Sequence, residues 1–168
     1  MVLAFILALT VGGRITEFLA TGEPEGGWIL DSFMGLAFLS FPAVGALIVT
    51  RRPGHRFGWL LITIGVAAAV IVAAAGYTQL SLRVWRENSG LATLAAWISE
   101  WLWFPLLAMV AIFVFLLFPT GTYPSPRWRW VGRLSVLATA VITVPSMFQG
   151  RLEDTGYSID NPIGISAL

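Results

Sequence analysis

Long apolar runs alternate with short polar stretches along this chain. The runs cover about residues 2–20, 28–50, 58–80, 97–118 and 131–148. The second, Trp28 to Val49, has the length needed to cross a hydrocarbon core of about 30 Å at 1.5 Å per helical residue. The pattern predicts an all-α fold: a polytopic transmembrane helical bundle of about five spans, forming one domain over residues 1–168. Strands are not expected.

The runs differ in character. The first is interrupted by Arg14 and Glu17. They lie three apart, share a helix face and can pair; the pair reads either as a buried polar element of the bundle or as a helix end reaching the interface. Pro42, Pro105 and Pro145 lie inside spans two, four and five, where a missing backbone bond kinks a helix in a way membrane bundles tolerate. The third run is the cleanest. Its Gly65, Ala69 and Ala73 recur every four residues, a small-residue stripe that lets helices approach closely.

Between the runs lie breakers. Thr21 to Gly27 carries Glu23, Pro24 and Glu25. Ser81 to Ala96 reads as a polar connector with Arg83, Arg86, Glu87 and the group Asn88-Ser89-Gly90. Residues 149–168 read as a polar tail, with Asn161-Pro162 as a loop leading toward a further helix. Two turns contain arginine and no acid. One holds Arg51, Arg52 and Arg56; the other holds Arg127 and Arg129, with Arg133 just beyond. Eight acids, including Asp31, Glu100 and Asp160, fall on the other side, with Arg83, Arg86 and Arg151 as a basic minority. The positive-inside rule then predicts a plasma-membrane protein with its N-terminus in the cytoplasm and its C-terminal tail outside. Trp28, Trp59, Trp97, Trp128 and Trp130 lie at proposed span ends, where an amphipathic indole prefers to sit.

Composition sharpens the class. Apolar residues make up 57% of the chain and charged residues 11%, against about a quarter charged in a soluble domain. Too few charges are present to cover a water-facing surface, so the expected partner is the lipid bilayer. The net charge of +1 gives no pointer to nucleic acid. There is no cysteine, hence no disulfide, thiolate site or thiol nucleophile. Glycine-rich phosphate loops, paired zinc ligands and nucleophile elbows are absent, and the start does not read as a cleaved signal peptide. No catalytic residue, metal site or cofactor is expected.

The conspicuous residues have two readings each. The six arginines of the turns are orientation determinants or binders of anionic lipid. His55, the only histidine, is a solvated turn residue or a pH or metal group. Trp97 and Trp101 share a face with Trp103 nearby; they form an interface belt or line a ligand pocket. Asp31 and Glu100 read as helix-start carboxylates.

Four stretches together resemble a known family. They are Arg51-Arg52-Pro53-Gly54-His55-Arg56-Phe57-Gly58-Trp59-Leu60-Leu61, Trp101-Leu102-Trp103-Phe104-Pro105, Leu117-Phe118-Pro119-Thr120-Gly121 with Pro124-Ser125-Pro126-Arg127-Trp128-Arg129, and Asn161-Pro162-Ile163-Gly164-Ile165. In this order they are similar to the N-terminal multi-pass membrane region of sensor histidine kinases from high-GC Gram-positive bacteria, over roughly residues 28–165. The resemblance implies a sensor or input module. The family's dimerisation helix, phospho-acceptor histidine and ATP-binding boxes have no counterpart here, and His55 sits in a membrane turn, so that role does not pass to it. The expectation is a truncated or free-standing input module, non-catalytic by itself, whose partners are a second copy or a kinase-domain protein. A small transporter or channel component, or a membrane assembly partner, is the alternative; an intramembrane enzyme would need converging side chains at depth.

Overall fold

A computed structural model describes residues 1–21, 28–86, 89–152 and 159–165, the side chains of 21, 28–34 and 36 excepted. Among these residues the helices are α1 (Val2–Thr21), α2 (Trp28–Arg51), α3 (Arg56–Leu80), α4 (Gly90–Ala108) and α5 (Trp128–Met147). A π-helical turn over Ser81–Trp85 prolongs α3. Another over Met109–Phe113, then a last α-helical turn Val114–Leu117, prolongs α4. The fold is the expected all-α bundle. Val2–Ala20, Arg56–Trp85, Gly90–Leu117 and Trp128–Met147 are each long and apolar enough to cross a membrane, and α2 adds the apolar stretch Ala37–Arg51.

Two boundaries differ from the sequence expectation. The third span runs on to Trp85, and the fourth begins at Gly90 rather than near 97. Much of the expected connector is therefore helix. The Ser89 hydroxyl accepts a hydrogen bond from the Ala92 N–H at 3.2 Å, so it caps α4. The Leu91–Ala96 segment that follows is rich in good helix formers. Arg86 ends the preceding helix in the left-handed conformation, φ 53°. Glu100 consequently lies well inside α4 and is not a helix-start carboxylate. Glu23, Glu25, Glu87, Glu153 and Asp154 lie outside the described residues, as do the side chains of Trp28 and Asp31.

α3 is the centre of the bundle and packs against α1, α2 and α4; α5 packs against α4. Small residues set these distances. A Cβ on Gly13 would lie 2.6 Å from the Val72 carbonyl oxygen, and Gly76 meets the Gly13 carbonyl across the same α1–α3 crossing. On the other flank, Gly65 receives the ring of the buried Pro42. Gly65 and Ala69 of the expected stripe are buried, and Ala73 is half-buried beside Leu9. Phe57, Leu61, Ile64 and Leu106 fill the core between these crossings.

The tail is the second departure. Instead of a solvated loop it makes a short antiparallel pair, β1 (Arg151–Leu152) with β2 (Ile159–Asp160). Leu152 and Ile159 are buried against Ala96, with Leu82 and Trp97 packed around them. Two apolar side chains in a polar segment are enough to fold it back onto the helix ends, because burying each removes apolar area from water.

Candidate functional site

The two arginine turns meet at one end of the bundle. In the first, the His55 N–H donates to the Arg52 carbonyl at 3.0 Å, closing a turn through Pro53-Gly54. The Trp59 indole N–H donates to the Pro53 carbonyl at 2.8 Å and ties that turn to the start of α3. In the second, the Gly121 N–H donates to the Leu117 carbonyl at 2.7 Å, and the Phe118–Pro119 peptide is cis. Gly121 has φ +74°, and a Cβ there would lie 3.0 Å from the Phe57 backbone nitrogen. Side-chain-free, it lets this loop rest on the first turn of α3. The Phe57 and Phe118 rings meet edge to face, centroids 5.6 Å apart. Arg56 and Arg129 border one hollow between the turns. Arg51, Arg52 and Arg127 are exposed nearby in chain, and Arg133 lies over the Trp130 ring at 5.1 Å.

A second feature lies inside the bundle. α1, α2, α3 and α4 border an apolar, half-open cavity of about 230 Å³, lined by Ile6, Phe38, Leu39, Ala69, Trp103 and Leu106 among others. Thr10 and Arg14 are its polar groups. The Thr10 hydroxyl donates to the Ile6 carbonyl at 2.9 Å, so it is satisfied within its own helix. Arg14 Nη1 donates to Glu17 Oε2 at 2.9 Å. The side chains are 38% and 25% exposed, so the pair expected from the i,i+3 spacing forms at the cavity's margin, partly shielded.

The tryptophans of α4 divide. Trp97 and Trp101 stack edge to face at 5.6 Å. The Trp97 indole N–H donates to the Met147 carbonyl at 2.8 Å, reaching across to the end of α5. The Asn161 amide donates to that same carbonyl at 3.0 Å and to the Gln149 carbonyl at 2.8 Å. Asn161 also accepts from the Ile163 N–H at 3.2 Å, an Asx turn that shapes the Asn161-Pro162-Ile163-Gly164 stretch. Trp103 points elsewhere, into the cavity wall. Trp59, Trp128 and Trp130 are exposed at the end where the two arginine turns meet.

Sequence reasoning did not identify Thr10, Phe38, Leu39 or Leu106 as cavity residues. Nor did it find the Asn161–Met147–Trp97 link or the hollow residues Thr122, Tyr123 and Ser125. A Ser-Pro-rich turn hinted at the last of these; nothing in a nearly uniform apolar run marks the first. Among the described residues no three His, Asp or Glu side chains converge as metal ligands do.

These features define a helical bundle with membrane-crossing lengths, an apolar half-open cavity among its helices and two arginine turns that meet at one end. Comparison with protein-family models, with curated proteins and with solved structures gives no match.

Proposed function

We propose that this chain is a multi-pass plasma-membrane module acting as the input region of a two-component type receptor, non-catalytic by itself. Its stimulus is a small apolar molecule or the state of the surrounding acyl chains. The observation that carries the reading is the cavity of about 230 Å³ among α1–α4, too small for most drug-sized ligands and walled by the helices around α3. An apolar occupant there changes the packing of α1 and α2 on α3, a movement a partner kinase can read. The order of the four sequence stretches supports the kinase-sensor assignment. In this reading the arginine turns face the cytoplasm and the strand-bearing tail faces outside.

Brominated acyl chains test the cavity. In liposomes they should quench fluorescence from Trp103, and Ala69→Leu, which fills the space, should abolish that component while leaving helix content intact. Unchanged quenching in Ala69→Leu would sink the cavity as the input site. Impermeant thiol labelling tests the orientation, because the chain has no cysteine. Ile163→Cys should label on intact cells and Ser125→Cys only after lysis; the opposite pattern inverts the topology.

The Arg14–Glu17 pair at the cavity margin supports a second reading, a small transporter, since ionisable groups at depth mark ion and substrate paths. Solute or proton flux in liposomes above that of protein-free vesicles selects it. Radiolabel passing from ATP to the purified chain would contradict both.

A further inference from the structure

Arg56 opens α3 and Arg129 lies in the first turn of α5, far apart in sequence, yet both line one hollow of about 570 Å³. That volume is within the roughly 300–1,000 Å³ range of small-molecule sites. Thr122, Tyr123 and Ser125 also line the hollow; the Thr122 hydroxyl is shared with Thr120 at 2.9 Å and the Tyr123 hydroxyl lies against Gly132, which leaves Ser125 as its hydroxyl donor, and among the described residues no carboxylate lines it. Neither arginine has an ion pair among the described residues. The close approach of Gly121 to the backbone nitrogens of Arg56 and Phe57 brings the amino end of the 25-residue α3 to the same place, adding the positive pole of a long helix to two positive charges.

Two arginines, the Ser125 hydroxyl and a helix amino terminus border one space, with no counter-charge among the described residues. A tetrahedral anion matches this set: a guanidinium can grip its oxygens in bidentate fashion, and because each oxygen accepts more than one hydrogen bond, a hydroxyl can add to the same oxygens. We propose that the hollow between the two turns binds a phosphate group, presented by the headgroup of an anionic phospholipid or by a soluble phosphate. The site requires only the meeting of the two turns and stands whether or not the chain is an input module.

The test uses the purified full chain in a zwitterionic detergent, with binding read by native mass spectrometry. A short-chain phosphatidylglycerol, the matching phosphatidylcholine and inorganic phosphate are titrated separately. Saturable binding of phosphatidylglycerol but not phosphatidylcholine is expected, and its displacement by inorganic phosphate would identify a soluble source. Arg56→Gln with Arg129→Gln should weaken binding roughly ten- to thirtyfold. Arg151→Gln, at the opposite end of the bundle, should not change it. Ser125→Glu places a carboxylate in the hollow without removing a core contact, and should abolish binding even if the double variant folds poorly. Failure of both anions to saturate, or Ser125→Glu binding like the parent, overturns the proposal and leaves the arginines as solvated determinants of orientation.

Discussion

Along its most apolar stretch, half of α3 is buried inside the bundle, against 22% for α5. Both are long enough to cross a membrane, so length and hydropathy alone do not separate them. Their buried residues do. α3 buries Leu61, Ile64 and a series of alanines and glycines against three neighbours. α5 buries only Gly132, Thr143 and Ser146, while Leu134, Leu137, Val141 and Ile142 are exposed. Its large side chains point away from the protein and its small ones inward. Lipid tails are as apolar as leucine, so no hydrophobic force draws big side chains into a membrane bundle; close packing does, and small residues permit it. α5 is held instead by its ends, through Tyr123 against Gly132 and the Met147 carbonyl shared by Trp97 and Asn161.

Substitutions of one kind should therefore act differently on the two helices. The largest effect is expected from Gly76→Leu. Its side chain has nowhere to go but into the Gly13 backbone, so the cost should exceed the roughly 1–3 kcal/mol of ordinary overpacking and part α1 from α3 altogether. Ala140→Leu, on the exposed face of α5, should be silent in the same unfolding titration. If both destabilise equally, α5 is buried against something and the contrast is wrong.

Next comes Leu106→Ala in the wall facing α3. A fully buried leucine truncated to alanine loses about 2–5 kcal/mol. Leu137→Ala, 60% exposed on α5, should stay within about 0.5 kcal/mol. Reversible unfolding in mixed micelles reads both.

A smaller effect should come from Trp97→Phe, which removes one hydrogen bond to Met147, worth about 1 kcal/mol. It should raise hydrogen exchange at the end of α5 and spare α3. Combined with Asn161→Ala, which strips the other donor from that carbonyl, the loss should exceed the sum of the two singles, because the acceptor is then left bare. Additive behaviour would mean that water replaces either donor freely. The smallest effect is at Ser89→Ala, about 0.5 kcal/mol from the 3.2 Å α4 cap, seen as fraying confined to the first turn of α4.

The helices, the two arginine turns and the Arg14–Glu17 pair were legible in the sequence because each is local. Apolar length, a Pro-Gly breaker and an i,i+3 spacing require no knowledge of neighbours. The meeting of the turns was not legible: Gly121 gives no sign that it rests on Arg56 and Phe57. The cavity was invisible for a related reason, since Phe38, Leu106 and Trp103 look like any other apolar residue of a span. The start of α4 could have been read from Ser89 and the helix formers after it, but the neighbouring asparagine and glycine outweighed that signal. Leu152 and Ile159 are isolated apolar residues in a polar tail, and only the pairing of their strands puts them side by side.

The main partner of α1 is α3, not the helix that follows it in sequence. During synthesis at roughly 5–20 residues per second, α1 waits several seconds for α3 to be made. A lone arginine in hydrocarbon costs roughly 2.5–3.5 kcal/mol on insertion scales. Arg14 carries its counter-charge on its own helix, at Glu17, 2.9 Å away. The pair needs no second helix to form, so in a bilayer α1 would be neutralised from the start and could hold its place until its docking face is made. Glu17→Gln should therefore show itself first at biogenesis, as a fraction of nascent chains in which α1 fails to integrate, before any change in the finished protein.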